Sequence, residues 1–304
     1  MRSQLVVVPA LVAIAAACWL SVSCRDDELS ERLLCAPVRR LAPLERNATD
    51  ADDESGGGIF VARRGRPTKA FARSAAHLRL AARPAGYASS SRWRRGRGAS
   101  AGAVLPGPFL AAIDEFMPVY EALGPVIKAA AVKDLAGNAV KLRRNGADRA
   151  GGAGGAGAAP ASLQAMIAAD LAVQNHTHPD SSAMALLWLK RILEFTVTVF
   201  EEIAAVREVP APGRAGDARR QYSRELSDCV NAGYWRHLAP HHNQIFRHLA
   251  SLVLAVVPPL AEFVGNLGHS TLASLRPELR RWCTAARVPL QGLDQFLRKE
   301  RLEK

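Results

Sequence analysis

Apolar residues recur at every third or fourth position from about residue 105 onward, and this spacing is the feature that most limits the fold. Phe109, Ile113, Phe116 and Tyr120 share one face of a helix under this spacing, which Gly124-Pro125 ends. Runs that alternate polar and apolar residues, as half-buried strands do, do not occur convincingly in this region. We therefore predict one all-α domain over residues 104–304, built as a two-layer helical sandwich of about eight helices.

Seven further helices are predicted from the same periodicity. They cover 126–144, 163–173, 183–206, 219–238, 241–257, 259–267 and the region from 275 onward. The segment 183–206 is long and mostly apolar, which favours a central position in the domain. The Gly/Ala-rich stretch 149–162 and the proline-containing stretch 210–216 are predicted to be loops.

The first 103 residues have a different composition. Residues 5–22 are an apolar run, preceded by Arg2 and followed by acidic residues, so 1–24 is predicted to be a signal peptide or a signal anchor. Residues 25–103 are rich in Gly, Ser and Pro, basic from about 55, and predicted to be a disordered linker. This linker could be a solvated tether or a basic patch for anionic lipid. No nucleic-acid partner is expected, because no nucleic-acid-binding fold signature accompanies the basic tract.

Histidines and cysteines do not predict a cofactor. Pro240 interrupts the pair His237 and His241, and no acidic or cysteine ligand has a spacing that would close a metal site. No metal and no other cofactor is therefore predicted. Cys229 and Cys283 are expected to be ordinary buried thiols, although an oxidising compartment would make a bridge between them plausible.

Three polar residues share one face of the predicted helix 126–144. Asp134, Asn138 and Lys141 stand at i, i+4 and i+7. A carboxylate, an amide and an ammonium together accept and donate the hydrogen bonds that sugar hydroxyls need. The alternative is a solvent-exposed face on which Asp and Lys form a weak surface pair.

Two later segments carry an indole and an imidazole. Trp188 lies in the apolar helix 183–206, directly before Leu189, Lys190 and Arg191. A flat indole can stack on the C–H face of a sugar ring, although a core tryptophan beside a snorkelling basic pair is the alternative. His242 follows Pro240 at the start of a helix, where its imidazole can donate to an amide carbonyl or simply face solvent.

The order and separation of these three segments resemble the glycolipid transfer protein family. The resemblance implies an all-α sandwich whose apolar interior takes lipid chains. It also implies that Asp134 binds the ceramide amide and a sugar hydroxyl, and that Asn138 and Lys141 bind further hydroxyls. Trp188 would stack on the first sugar, and His242 would hold the acyl carbonyl.

The same resemblance bears on the headgroup. A branch of the family that binds ceramide-1-phosphate carries a basic residue where Asn138 stands and arginines where Trp188 and Ile192 stand. All three positions here are of the sugar type, so a glycosylceramide is expected, with ceramide-1-phosphate as the alternative. Lys190 and Arg191 are candidates for additional headgroup contacts.

The family's activity is the non-enzymatic transfer of sphingolipids between membranes, and no nucleophile elbow or paired carboxylates indicate an enzyme here. A membrane-tethered sphingolipid sensor is the alternative if the apolar leader stays attached. The family is largely cytosolic, whereas the leader favours the secretory pathway or a membrane anchor.

Family members often dock on membranes with a tryptophan two residues after the histidine. Gln244 stands there in this chain, and Trp235, Ile245 or Phe246 are predicted to replace it.

Overall fold

Nine α-helices make up most of the computed structural model, which describes residues 67–82, 102–124, 127–128, 132–150, 160–209 and 221–303. The helices are α1 (Pro67–Ala81), α2 (Pro106–Glu121), α3 (Lys133–Ala150), α4 (Leu163–Ala172), α5 (Ser182–Ala205), α6 (Leu226–His237), α7 (Gln244–Leu254), α8 (Leu260–Asn266) and α9 (Leu272–Lys299). They form the two-layer all-α sandwich predicted from the sequence. The predicted leader, residues 1–24, lies outside the described residues.

α5 is the central helix, as its composition predicts. Its start is capped by Ser181, whose side chain accepts a hydrogen bond from the backbone N–H of Met184. Most of its residues are buried around the whole circumference of the helix, and α3, α4, α6 and α9 all pack against it. Side chains on different faces of α5 therefore reach both the aromatic core and the candidate site described below.

α1 corrects part of the linker prediction. It lies within residues 25–103, yet Phe71 and Leu78 are buried and the helix packs against α2 and α9. The helix was missed because its apolar face consists largely of alanine, and because the surrounding arginines and glycines dominate the composition of the segment. The rest of the predicted linker, apart from Ala82, Gly102 and Ala103, lies outside the described residues.

An aromatic cluster joins α1, α2 and α9. The Trp282 ring stacks on Phe116 with 4.3 Å between ring centroids, and Phe71 meets Phe116 edge-on at 5.7 Å. Ser74 satisfies the buried indole: its hydroxyl oxygen accepts from Trp282 Nε1 at 3.0 Å and its proton is donated to the Ala112 carbonyl at 2.8 Å. α1 is thus part of the folded core, which begins well before residue 104.

The predicted helix 219–238 starts later than its periodicity indicates. Gln221–Tyr222 instead pairs antiparallel with Glu208–Val209, forming two strands of two residues each, β2 and β1. α6 begins after Glu225, where Glu225 and Asp228 form a reciprocal capping box. The cap fixes the helix start at a position that apolar spacing alone does not specify.

Cys229 and Cys283 are both buried free thiols in the structure. Burial raises the pKa of Cys229 to about 11 and that of Cys283 to about 12, so both remain protonated at neutral pH.

None of the helices between residues 67 and 303 that the structure describes has the length and apolarity needed to cross a membrane.

α5 and α6 approach each other closely at Gly233. A Cβ atom added there would lie 2.7 Å from Val199 Cγ2 and 3.0 Å from the Phe195 carbonyl oxygen. Gly233→Ala is therefore expected to lower the free energy of unfolding by about 1–3 kcal/mol, because the two helices must separate. Urea unfolding followed by circular dichroism measures this change.

Gly265→Ala is the matched control, because a Cβ atom on this α8 residue would meet nothing within 4 Å. It is expected to leave stability unchanged or raise it by up to about 1 kcal/mol, as alanine favours a helix over glycine. Equal urea midpoints for both variants would contradict the close helix contact.

Candidate functional site

A cavity of about 90 Å³ lies among α3, α5, α6 and α7. Its lining is mostly apolar: Ile127, Ile192, Phe195, Val230, Leu238, Leu249, Ala250, Val253 and Leu254, with Asp134, Trp188, Tyr234 and His242 as the polar or amphipathic members. An apolar cavity with a few converging polar groups is the usual form of a small-molecule site. The cavity joins residues that lie far apart in the sequence.

Three of the predicted site residues meet at this cavity. Asp134 comes from the first turn of α3, Trp188 from the second turn of α5, and His242 from the turn between α6 and α7. The rings of Trp188 and His242 stack with 5.7 Å between centroids and 27° between planes. Asp134, Trp188 and His242 therefore line the same cavity, although they lie far apart in the sequence.

His242 is held by Tyr234, which is not among the site residues predicted from the sequence. Its Nδ1 lies 3.1 Å from the hydroxyl of Tyr234. Burial, reinforced by the positive charges of neighbouring groups, lowers the pKa of His242 to about 4, and burial raises the pKa of Tyr234 to about 12. A neutral imidazole that accepts the Tyr234 proton on Nδ1 carries its own proton on Nε2, which can donate to a carbonyl oxygen.

The spacing of apolar residues in α6 indicates that Tyr234 faces inward. It lies one helical turn before Leu238 and one after Val230, which both line the cavity, so α6 presents these residues on a single face. The periodicity indicates an inward-facing tyrosine there, but the partner of its hydroxyl depends on the path of the chain after α6 ends.

Asn138 and Lys141 extend the α3 face beyond the cavity wall. The Asn138 side chain donates to the Asp134 carbonyl oxygen at 2.9 Å. Lys141 Nζ donates to the Pro179 carbonyl oxygen at 3.0 Å and lies 3.4 Å from a carboxylate oxygen of Asp180. Lys141 thus ties α3 to the turn before α5, and neither residue lines the cavity.

The structure corrects the prediction that Lys190 contacts a headgroup. Its side chain is 2% exposed, and its Nζ lies 2.9 Å from Glu194, 3.0 Å from Asp294 and 2.6 Å from Glu303. Burial alone would lower the pKa of Lys190, but these carboxylates outweigh it and raise the pKa. The ammonium is therefore committed to an internal ion-pair cluster, which the preceding leucine and following arginine do not reveal.

Arg191 does not line the cavity, but it lies against Trp188, which does. Its guanidinium carbon lies 5.2 Å from the centroid of the Trp188 ring, and its Nε is 3.5 Å from a carboxylate oxygen of Glu303. A guanidinium over an indole is a cation–π contact, which helps to hold the plane of the ring. Arg191 thus links the indole to the ion-pair cluster behind it.

α7 covers one side of the cavity and leaves apolar side chains exposed on its other side. Asn243 caps the helix by accepting from the Phe246 backbone N–H at 2.9 Å. Leu254 is the one α7 residue that is buried. Ile245 is 43% exposed, Trp235 at the end of α6 is 54% exposed, and the half-buried Phe246 ring lies 5.7 Å from His242.

Two half-buried histidines, His237 and His242, predict a loss of stability in acid. Burial lowers the pKa of both His237 and His242 from 6.5 to about 4, so the folded protein disfavours their protonation relative to the unfolded chain. The free energy of unfolding is therefore independent of the protonation of these two histidines above pH 6.5, and it decreases as the pH falls from 6.5 toward 4. His242→Asn is expected to reduce this acid-dependent loss by about 2 kcal/mol.

Urea unfolding at pH 7.5, 5.5 and 4.5 measures the difference between the natural chain and the variant. His248→Gln, an exposed position on α7, is the control and is expected to keep the natural pH dependence. A His242→Asn chain that loses as much stability in acid as the natural chain would contradict a buried neutral imidazole.

No group of three or more His, Cys, Asp or Glu residues suited to hold a metal ion occurs within the described parts of the chain.

Comparison with known proteins gives one family. The sequence profile described as "Glycolipid transfer protein (GLTP)" matches residues 104–269 of this 304-residue chain. The matched region contains Asp134, Trp188 and His242. α1 and the whole of α9 lie outside it, although both pack in the same core.

Individual relatives are distant. A glycolipid transfer protein of Aureobasidium melanogenum is 24% identical over 196 residues, which cover 64% of this chain and 84% of that protein. Human pleckstrin homology domain-containing family A member 8 is 24% identical over 159 residues, 52% of this chain and 26% of that protein. The chain thus matches about a quarter of the length of this second relative.

Among solved structures, human ceramide-1-phosphate transfer protein in complex with 12:0 ceramide-1-phosphate aligns with a TM-score of 0.57 at 15% identity. The alignment covers 75% of this chain and 95% of the human protein. At this identity, the likeness shows a shared fold.

Proposed function

This chain belongs to the glycolipid transfer protein family, and on that premise we propose that it binds one sphingolipid and carries it between membranes without catalysing a reaction. The observation that carries the proposal is the meeting of Asp134, Trp188 and His242 on the wall of an otherwise apolar cavity. A sphingolipid has the same division, because a polar headgroup with an amide joins two apolar chains.

Each of the three side chains has a role that its chemistry supports. The Asp134 carboxylate accepts hydrogen bonds from the ceramide amide N–H and from a sugar hydroxyl. Trp188 offers its ring face to the first sugar, and Arg191 on the indole helps to keep that ring in place. His242 Nε2 donates to the acyl carbonyl, since Tyr234 engages Nδ1.

The lipid chains require more room than the cavity now offers. Its volume is about 90 Å³, whereas drug-sized ligands occupy sites of about 300–1,000 Å³. We infer that α7 moves outward when a lipid enters. This helix lines the cavity, and Leu254 is its one buried residue, so few of its contacts with the core would be lost. Burial of the chains then stabilises the complex by about 0.8 kcal/mol per methylene.

We propose a neutral sugar, as in a glycosylceramide, for the headgroup. A phosphate needs charge-assisted donors, preferably the fork of an arginine. The nearby cations have other partners: Lys190 is enclosed by three carboxylates, and Lys141 is bound to the turn before α5. The indole of Trp188 suits a sugar ring and provides no fork for phosphate.

The exposed apolar residues on α6 and α7 are proposed to dock the protein on a membrane. Trp235→Asp with Ile245→Asp is expected to lower binding to lipid vesicles by at least about tenfold, because each large apolar side chain contributes about 1.5–3 kcal/mol when fully buried. Sedimentation with vesicles measures the binding. Val173→Asp, at an apolar position that is 72% exposed after α4, is the control and should bind as the natural protein does. Unchanged binding of the double variant would remove this docking surface.

Fluorescence transfer between vesicles tests the function. Donor vesicles carry labelled glucosylceramide or labelled ceramide-1-phosphate, and the acceptor vesicles carry neither. Transfer of glucosylceramide in preference to ceramide-1-phosphate supports the proposal. Preference for the phosphate would overturn the choice of headgroup, and movement of neither lipid would overturn the transfer function.

A further inference from the structure

The segment after α9 folds back toward the candidate site. Arg301 has φ of 57°, in the left-handed region that residues other than glycine seldom adopt. The backbone N–H of Leu302 donates to the Leu297 carbonyl oxygen at 2.9 Å, and that of Arg301 donates to the Arg298 carbonyl oxygen at 3.1 Å. This is a Schellman-type helix end formed without the usual glycine.

The reversal delivers Glu303 to the cations beside Trp188. The Glu303 side chain is 8% exposed, one carboxylate oxygen lies 2.6 Å from Lys190 Nζ, and the other lies 3.5 Å from Arg191 Nε. Leu302 packs against the core and helps to hold the segment in place. A single carboxylate from the segment after α9 therefore contacts both basic residues that follow Trp188 in α5.

Within the described residues, this cluster contains three cations and three carboxylates, because Arg298 also pairs with Asp294 at 2.8 Å. Lys190 and Arg191 face the carboxylates of Glu194, Asp294 and Glu303. Lys190 would keep two acidic partners if Glu303 were absent. Arg191 has its one described ion pair with Glu303. Loss of the Glu303 charge would therefore leave the Arg191 guanidinium, which lies over the Trp188 ring, without that ion pair.

We propose that Glu303 is a specificity-determining residue: by pairing with Arg191 and Lys190 behind Trp188, it makes the site accept a neutral sugar headgroup and disfavour a phosphate. This inference rests on the proposed function. The carboxylate acts in two ways: it engages the Nε donor of Arg191, which a phosphate would also use, and its negative charge repels a phosphate. It leaves the indole, which a sugar needs, unaltered.

Glu303→Gln tests the proposal, since it removes the charge and keeps the size of the side chain. Binding of short-chain glucosylceramide and ceramide-1-phosphate is measured separately for the natural protein and the variant. The affinity for ceramide-1-phosphate divided by the affinity for glucosylceramide is expected to rise roughly tenfold in the variant, because Arg191 becomes able to bind the phosphate. Glu300→Gln, the same change three residues earlier, is the control and should keep the natural ratio.

Arg191→Gln gives a test that does not depend on the fold of the Glu303→Gln variant. Arg191→Gln alone leaves the contact between Glu303 and Lys190 intact, and it is expected to change ceramide-1-phosphate affinity less than about twofold because Arg191 is already neutralised. Adding Arg191→Gln to Glu303→Gln is expected to abolish the gain in phosphate affinity.

Two failures can be told apart. A natural protein that binds neither lipid overturns the proposed function and the role of Glu303 with it. A natural protein that prefers glucosylceramide, combined with an unchanged ratio in a folded Glu303→Gln variant, overturns the role of Glu303 alone. A tenfold or larger loss of phosphate affinity in Arg191→Gln would also contradict it, since Arg191 would then bind phosphate despite Glu303.

Discussion

Asp134→Val is expected to reduce glycolipid transfer by at least about 100-fold, since it removes an acceptor for two hydrogen bonds that are worth about 1.5–3 kcal/mol each when one partner is charged. Asp134 lines the same cavity as Trp188 and His242. Valine is apolar and removes both carboxylate oxygens. Transfer of labelled glucosylceramide between vesicles is the measurement.

The fold must be monitored in this experiment. Asp134 lies in the first turn of α3, where an acidic side chain stabilises a helix by about 0.3–1 kcal/mol. Asp148→Val, an exposed position at the other end of the same helix, is the matched control and should transfer lipid at the natural rate. A folded Asp134→Val protein that transfers glucosylceramide at the natural rate would remove Asp134 from the site.

Trp188→Ala is expected to lower glucosylceramide transfer by roughly tenfold or more, because the sugar loses its stacking surface and His242 loses the ring beside it. Trp188→Phe keeps a flat ring and should stay within about threefold of the natural rate. Transfer of both labelled lipids is measured, and the loss should be larger for the glycolipid than for ceramide-1-phosphate. Equal losses for the two lipids would indicate that Trp188 supports the cavity and does not contact the sugar.

Helix positions were largely predictable because apolar spacing reflects which face each helix buries. The prediction of 183–206 corresponds to α5 (Ser182–Ala205), whose buried residues lie on every face. α1 was not predictable from composition, since Ala70 and Ala75 form much of its buried face and basic residues surround them. Its place in the core depends on Phe116 and Trp282, which are distant in the sequence.

The candidate site was predictable in part. Its three cavity residues come from segments that the family resemblance identifies, and the fold brings them together. The positions of Lys190 and Glu303 were not predictable, because their contact spans 113 residues and depends on the chain reversal at Arg301. Sequence neighbours of Lys190 indicate a surface cation, whereas tertiary structure buries it among carboxylates.

Native mass spectrometry tests the central claim most directly, namely that the cavity holds one glycosphingolipid. The protein is incubated with vesicles that contain equal amounts of glucosylceramide and ceramide-1-phosphate, separated from them, and weighed intact. We expect a complex of one protein with one glucosylceramide, and its loss in Asp134→Val. A complex with ceramide-1-phosphate instead, or a glucosylceramide complex that Asp134→Val forms equally well, would contradict the account.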